Sequence, residues 1–129
     1  AAGAQYIISP NVNERVIRRT KELGLVSIPG AMTPSEICTA HELGADIVKL
    51  FPFGDLGIKY VKDIRAPLSH IKLMATAGIN EENLGEALDA GCCSAGVSGR
   101  LTDKKLIAEG NFAELTRRAA VFTAIAGSR

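Results

Sequence analysis

The sequence predicts an α/β protein built on parallel strands. Short β-rich apolar runs alternate with segments of helical period, and successive runs start about 20 to 26 residues apart, the repeat of a βα unit. The runs are also nearly continuous in apolar character, as expected of strands covered on both faces. An open doubly wound sheet and the last five units of an eight-unit barrel both satisfy this period.

The runs are QYIISP (Gln5 to Pro10), VSIPG (Val26 to Gly30), DIVKLFP (Asp46 to Pro52), IKLMATAG (Ile71 to Gly78) and SAGVSG (Ser94 to Gly99). The first helical segment, NERVIRRTKELG, places Val16, Ile17 and Leu23 on one face and stops at Gly24. In TPSEICTAHELG, Thr33 is the expected N-cap, Pro34 the first helical residue, Glu36 the capping-box partner and Gly44 the C-terminal stop. NEENLGEALDAG opens on Asn80 as cap with acids in its first turn, which suits the helix dipole, and ends in Gly91. DKKLIAEG precedes a final helix capped by Asn111. The opening AAGA reads as the tail of a preceding helix, so the chain is expected to start inside a βα repeat.

Composition narrows the function classes. The 129 residues are 47% apolar and 22% charged, as in a globular domain with a real core. The net charge is +1, from 15 basic and 14 acidic residues with no basic block, which gives nucleic acid or anionic membranes no foothold. No run approaches the roughly 20 apolar residues of a membrane span. The N-terminus has no basic leader and is not read as a signal peptide. Cys38, Cys92 and Cys93 match no zinc spacing and read as small buried thiols of a reducing compartment. His41 and His70, Asp103-Lys104-Lys105 and Arg117-Arg118 read as surface.

In both architectures active groups collect at the C-terminal ends of the strands. Lys49 lies near one such end. With a side-chain period of two, Ile47, Lys49 and Phe51 share one face, and Val48 and Leu50 the other. If Val48 and Leu50 pack under helices, Lys49 faces a barrel mouth, where lost hydration disfavours its ammonium form. A neutral lysine amine condenses with ketones to a Schiff base, an electron sink for carbon–carbon bond cleavage. The alternative is a lysine that snorkels outward or pairs with Asp46. The turns TAGI and GVSG are candidate anion nests, and Arg100 follows the second as either a phosphate contact or a solvated residue.

The segments GAQYIISP, IPGAMTPSEI, ELGADIVKLFP, LMATAGI, EENLGEALDAG and DKKLIAEGNFAELTRRA occur in this order across essentially the whole chain. Together they resemble the 2-keto-3-deoxy-6-phosphogluconate and 4-hydroxy-2-oxoglutarate aldolases. The resemblance implies a (β/α)8 TIM barrel, with about five βα units present here as the C-terminal part of one domain over residues 1–129. It also implies a cytoplasmic homotrimer of carbohydrate metabolism that takes a small 2-keto acid and needs no metal or organic cofactor. It makes Lys49 the Schiff-base residue, places Phe51 and Pro52 in the pyruvyl pocket, and makes Pro10 and Thr76 substrate-binding residues, Thr76 at the start of the family's phosphate turn. It assigns Ala77, Gly78, Gly96, Ser98 and Gly99 to a phosphate site.

Three departures stand out. ATAG replaces the family's PTGG, bringing in Ala75 and Ala77, and Ser98-Gly99 reverses its GS. Both imply weaker phosphate binding and a shift toward an unphosphorylated acid. The early strand that carries the family's proton-transfer glutamate and carboxylate-binding arginine has no counterpart here. At about 26 residues per unit, roughly 80 residues of an eight-unit barrel are unaccounted for, so the 129 residues alone are expected to turn over poorly. The competing readings are a non-catalytic half-barrel that binds an anion or a partner, and a phosphate-binding barrel enzyme of unrelated chemistry.

Overall fold

A computed structural model describes residues 2–129. The order is β1 (Tyr6–Ile8), α1 (Glu14–Glu22), β2 (Val26–Ile28), β3 (Gly30–Ala31), α2 (Pro34–Glu42), β4 (Val48–Leu50), α3 (Phe53–Arg65), β5 (Leu73–Thr76), α4 (Leu84–Asp89), β6 (Cys92–Gly96), α5 (Lys104–Ala108) and α6 (Phe112–Gly127). All pairings are parallel: β1 with β2, and β3-β4-β5-β6 in sequence order. The run expected as one strand over Val26 to Gly30 is divided at Pro29, which lacks the N–H a ladder needs. Its first part pairs back to β1 and its second forward to β4.

The capping signals produce the expected local structure. Thr33 and Asn111 cap α2 and α6, Thr33 with Glu36 forms a full capping box, and Asn13, which the sequence reading did not single out, caps α1. Asn80 instead caps a turn, accepting from the Glu82 and Asn83 amides, and α4 begins only at Leu84.

Four expectations need correction. Residues 2–4 form no helix, and Ala1 lies outside the described residues. α1 buries Ile17 and Thr20, whereas Val16 and Leu23 stay exposed and line an apolar groove with Ile7 and Leu25. Arg118 is not a solvated residue: it reaches Glu114, Asp103 and the Arg100 carbonyl, and Asp103 caps α5. Of the thiols, Cys92 is buried and Cys93 exposed, because a register irregularity after Leu73 leaves Cys93 unpaired in the ladder. Burial pushes the Cys92 thiol up to about 11.

One helix was not expected at all. α3 follows Pro52 directly and contains Gly54 and, at its centre, Gly57 with φ 75°, which joins two helical pieces at a kink. Those glycines hide its period. Its Phe53, Val61 and Ile64 enter a core with Ile37, Val48, Leu50, Leu73, Ala75, Leu84 and Phe122. No helix among the described residues is long and apolar enough to cross a membrane.

Candidate active site

β4 divides its residues as the period of two requires. Val48 and Leu50 are fully buried toward the helices. Lys49 occupies the opposite face and is still only 7% exposed. In register beside it stand Gly30 on β3 and Met74 on β5, and Met74 in turn pairs with Ser94 on β6. The next row toward the strand ends holds Thr76 and Gly96.

Lys49 does not pair with Asp46. That carboxylate accepts from Lys21 Nζ at 2.7 Å and from the Ser27 amide at 2.8 Å. Burial pushes the Asp46 carboxyl up, but the Lys21 and Ser27 hydrogen bonds outweigh it and hold the group below its ordinary range. Among the described residues, Lys49 Nζ donates no hydrogen bond and meets no carboxylate. Its nearest notable contact is the Phe51 ring, with Nζ 4.5 Å from the centroid. Burial lowers the Lys49 pKa below its ordinary value, and the ring face offsets part of that penalty. The result is a lysine with raised access to its neutral, nucleophilic form.

Thr76 lies on the same inner face, and its Oγ1 is buried without a hydrogen-bond partner among the described residues. A buried hydroxyl left unsatisfied is costly unless something completes it. Gly96 makes room beside it: a Cβ there would lie 3.0 Å from Thr76 Oγ1.

The two turns beyond Thr76 and Gly96 share one cleft of about 290 Å³, lined by Ala77, Gly78, Ile79, Asn80, Gly96, Ser98, Gly99 and Arg100. Their carbonyls are tied back. Ala77 O accepts from the Gly54 amide at 2.9 Å, Gly78 O from Asn83 Nδ2 at 2.8 Å, and Ser98 O from the Leu101 and Thr102 amides. The amides of Ala77, Gly78, Ser98 and Gly99 donate to nothing among the described residues. Carbonyls turned away and amides left free make an anion-accepting surface. Ala77 itself takes the left-handed conformation, φ 72°, so the turn keeps its shape where a glycine would be easier. Gly78 has no such latitude, since a Cβ would lie 2.6 Å from the Gly54 Cα. Asn83 braces this turn locally, whereas Gly54 carries no signal in the sequence, because its partner is set by tertiary packing.

Pro10 lies apart from the turns, in a second cleft of about 440 Å³ with Gly30, Ala31 and Phe51. Phe51 thus connects that cleft to Lys49, while Pro52 leads straight into α3. His41 and His70 are exposed and stack edge to face at 5.4 Å, away from these groups in the sheet. Among the described residues no group of His, Cys, Asp and Glu could hold a metal ion.

Known proteins resemble this chain in sequence and in fold. The family described as KDPG and KHG aldolase matches residues 1–118. A 2-dehydro-3-deoxy-6-phosphogalactonate aldolase of Escherichia coli K12 is 41% identical over 100 residues, covering 77% of this chain and 49% of that protein. A solved structure of native KDPGal superposes with a TM-score of 0.86 at 36% identity, over 95% of this chain and 58% of the other. A KDPG aldolase from Legionella pneumophila, solved with pyruvate captured as a covalent carbinolamine, gives a TM-score of 0.81 at 26% identity, over 96% of this chain and 59% of that one. The chain spans about half the length of the curated relatives it matches. With its parallel α/β fold and its match over most of its length, the chain belongs to the KDPG and KHG aldolase family.

Proposed function

We propose that the protein is a class I aldolase in which Lys49 forms the Schiff base. The neutral Nζ adds to the C2 ketone of a 2-keto-3-deoxy-6-phospho sugar acid or of 4-hydroxy-2-oxoglutarate, and water leaves to give an iminium. The C3–C4 bond then breaks, its electron pair moving toward the iminium as the C4 hydroxyl loses its proton. An aldehyde departs and an enamine remains. Protonation at C3 and hydrolysis release pyruvate and restore the amine. The carrying observation is Lys49 itself, buried at a strand end with no carboxylate partner and with its ammonium form disfavoured.

In this reading Pro10, Phe51 and Pro52 surround the pyruvyl group, and the unsatisfied Thr76 hydroxyl donates to its carboxylate. Ala77, Gly78, Gly96, Ser98 and Gly99 receive the distal anion. The βα units are read as a run of the wall of an eight-unit barrel, folded as one domain over residues 1–129 and assembling as a homo-oligomer in the cytoplasm. Likeness in fold to solved aldolase structures supports the barrel assignment. Among the described residues no carboxylate stands beside Lys49, so they supply the nucleophile and not the base that takes the C4 hydroxyl proton.

The test is trapping. The protein is incubated with pyruvate and borohydride, digested, and searched by mass spectrometry for a reduced pyruvyl adduct. An adduct on Lys49, lost in Lys49→Arg, is the expected result. A folded protein that yields no adduct, or one that carries it on another lysine, sinks the assignment.

A further inference from the structure

We propose that Arg100, aimed by Glu81, is the charged contact for a phosphate monoester in the cleft between the β5 and β6 turns. It would offset the alanine and reversed serine–glycine of those turns, and set a preference for a phosphorylated substrate. The identity of the cleft as a substrate site rests on the aldolase reading above; the anion chemistry argued here does not.

Arg100 lines the cleft together with Ala77, Gly78, Gly96, Ser98 and Gly99, whereas Glu81 is not among its lining residues. The guanidinium donates from Nε to Glu81 Oε2 and from Nη2 to Oε1, both at 3.0 Å. Such a side-on pair fixes the guanidinium plane, and Nη1 donates to nothing among the described residues. The backbone at the same residue is fixed as well, since the Arg100 carbonyl accepts from Arg118 Nη1 at 3.2 Å.

The neighbouring arginines are committed. Arg117 is held by both oxygens of Glu114, and Arg118 by Glu114 and Asp103. Arg100 is bound to its carboxylate in the same way as Arg117, and what sets it apart is that it lines the cleft, where Arg117 and Arg118 do not. The free amides of the two turns offer several donors without charge. A tetrahedral phosphate has enough acceptor oxygens to use both sets, which a planar carboxylate does not. Glu81 then has two opposed effects: it orients Arg100, and its negative charge opposes a dianion on the far side of the guanidinium.

The experiment is a titration with inorganic phosphate, followed by calorimetry, with acetate at matched ionic strength in parallel. The wild type should bind phosphate about tenfold tighter than acetate or better, and Arg100→Met should lose about tenfold to a hundredfold in phosphate affinity. Arg100→Lys should recover part of that loss, which guards against a misfolded Met variant. Glu81→Gln keeps an acceptor but removes the charge, and should tighten phosphate binding severalfold, a change a purely structural role would not cause. Arg18→Met on α1 removes the same charge elsewhere and should leave the affinity unaltered. Wild-type affinity in Arg100→Met, or acetate bound as tightly as phosphate, or no phosphate binding by the wild type, overturns the proposal. Pyruvate trapping on the wild type reads the aldolase assignment separately. A missing adduct with the phosphate results intact removes the aldolase reading and leaves the anion site standing.

Discussion

The β3–β6 wall and the β1–α1–β2 unit before it share one sequence pattern and end in different surroundings. In the wall, the alternate residues of β4 and β5 point into a single apolar core closed by α2, α3, α4 and α6. In the β1–α1–β2 unit, Ile17 and Ile28 are buried outside that core, and Tyr6, Ile8, Val16, Leu23 and Val26 remain 40% to 58% exposed. Apolar run and helical period are equal in both. What differs is whether a second layer is there to receive the side chains. The candidate lysine and both anion-accepting turns stand on the wall that has its layers, which suits a site that needs fixed geometry.

Substitutions can test how deep this difference runs. The largest expected effect separates the regions directly. Leu73→Ala, in the fully buried row of β5, should cost about 2–5 kcal/mol, and Ile8→Ala, on exposed β1, under about 1 kcal/mol, as read by denaturant unfolding. Equal losses would mean that β1 is covered in solution. Next comes the joint between them. A Cβ at Gly30 would lie 2.4 Å from the Pro10 carbonyl oxygen. Gly30→Ala should therefore cost about 1–3 kcal/mol through forced separation of the two strands. Amide exchange should then accelerate in β1 and β2 before it does in β4 and β5.

Asp46 is the smaller tie, linking the end of the α2–β4 loop to α1 through Lys21 and to β2 through Ser27. Its folded pKa is depressed, so its contribution is complete above the ordinary carboxylate range and disappears as pH falls through the folded value. Asp46→Asn should cost on the order of 1 kcal/mol at neutral pH, kept small by solvent screening of a pair more than a third exposed. Thermal melts of mutant and wild type should converge in acid; a constant gap would show that charge is not the cause. The smallest effect runs the other way. Ala77→Gly relieves a left-handed alanine and should raise stability by about 0.5–1 kcal/mol. A loss would show that the Ala77 methyl contributes more through packing than its left-handed conformation costs.

The features legible in the sequence were those whose partners lie within a few residues. The Thr33–Glu36 capping box, the Asn111 cap and the stops at Gly24, Gly44 and Gly91 are local chemistry, and each is realised. The face of Lys49 was also readable, because a period of two needs only the strand. α3 was not, since Gly54 and Gly57 interrupt its pattern: Gly54 is small because Gly78 presses on it, and Gly57 takes φ 75° at the kink. The face of α1 failed for a related reason. Helical period offers Val16 and Leu23 as readily as Ile17, and only the position of the sheet decides. The Lys21–Asp46 pair, the Arg100–Glu81 clamp and the Gly54–Ala77 bond that ties the β5 turn span long stretches of chain and have no local signature.

The contact between Gly54 and Gly78 bears on how this site could be altered. Their backbones touch, and the Gly54 amide holds the Ala77 carbonyl. The start of the helix after Lys49 and the turn after Thr76 thus move as one mechanical part, though they are separate in sequence. A loop transplanted from a relative to change substrate range would have to bring both pieces together. A new turn alone, seated against the old helix start, would lose the brace that ties back its Ala77 carbonyl.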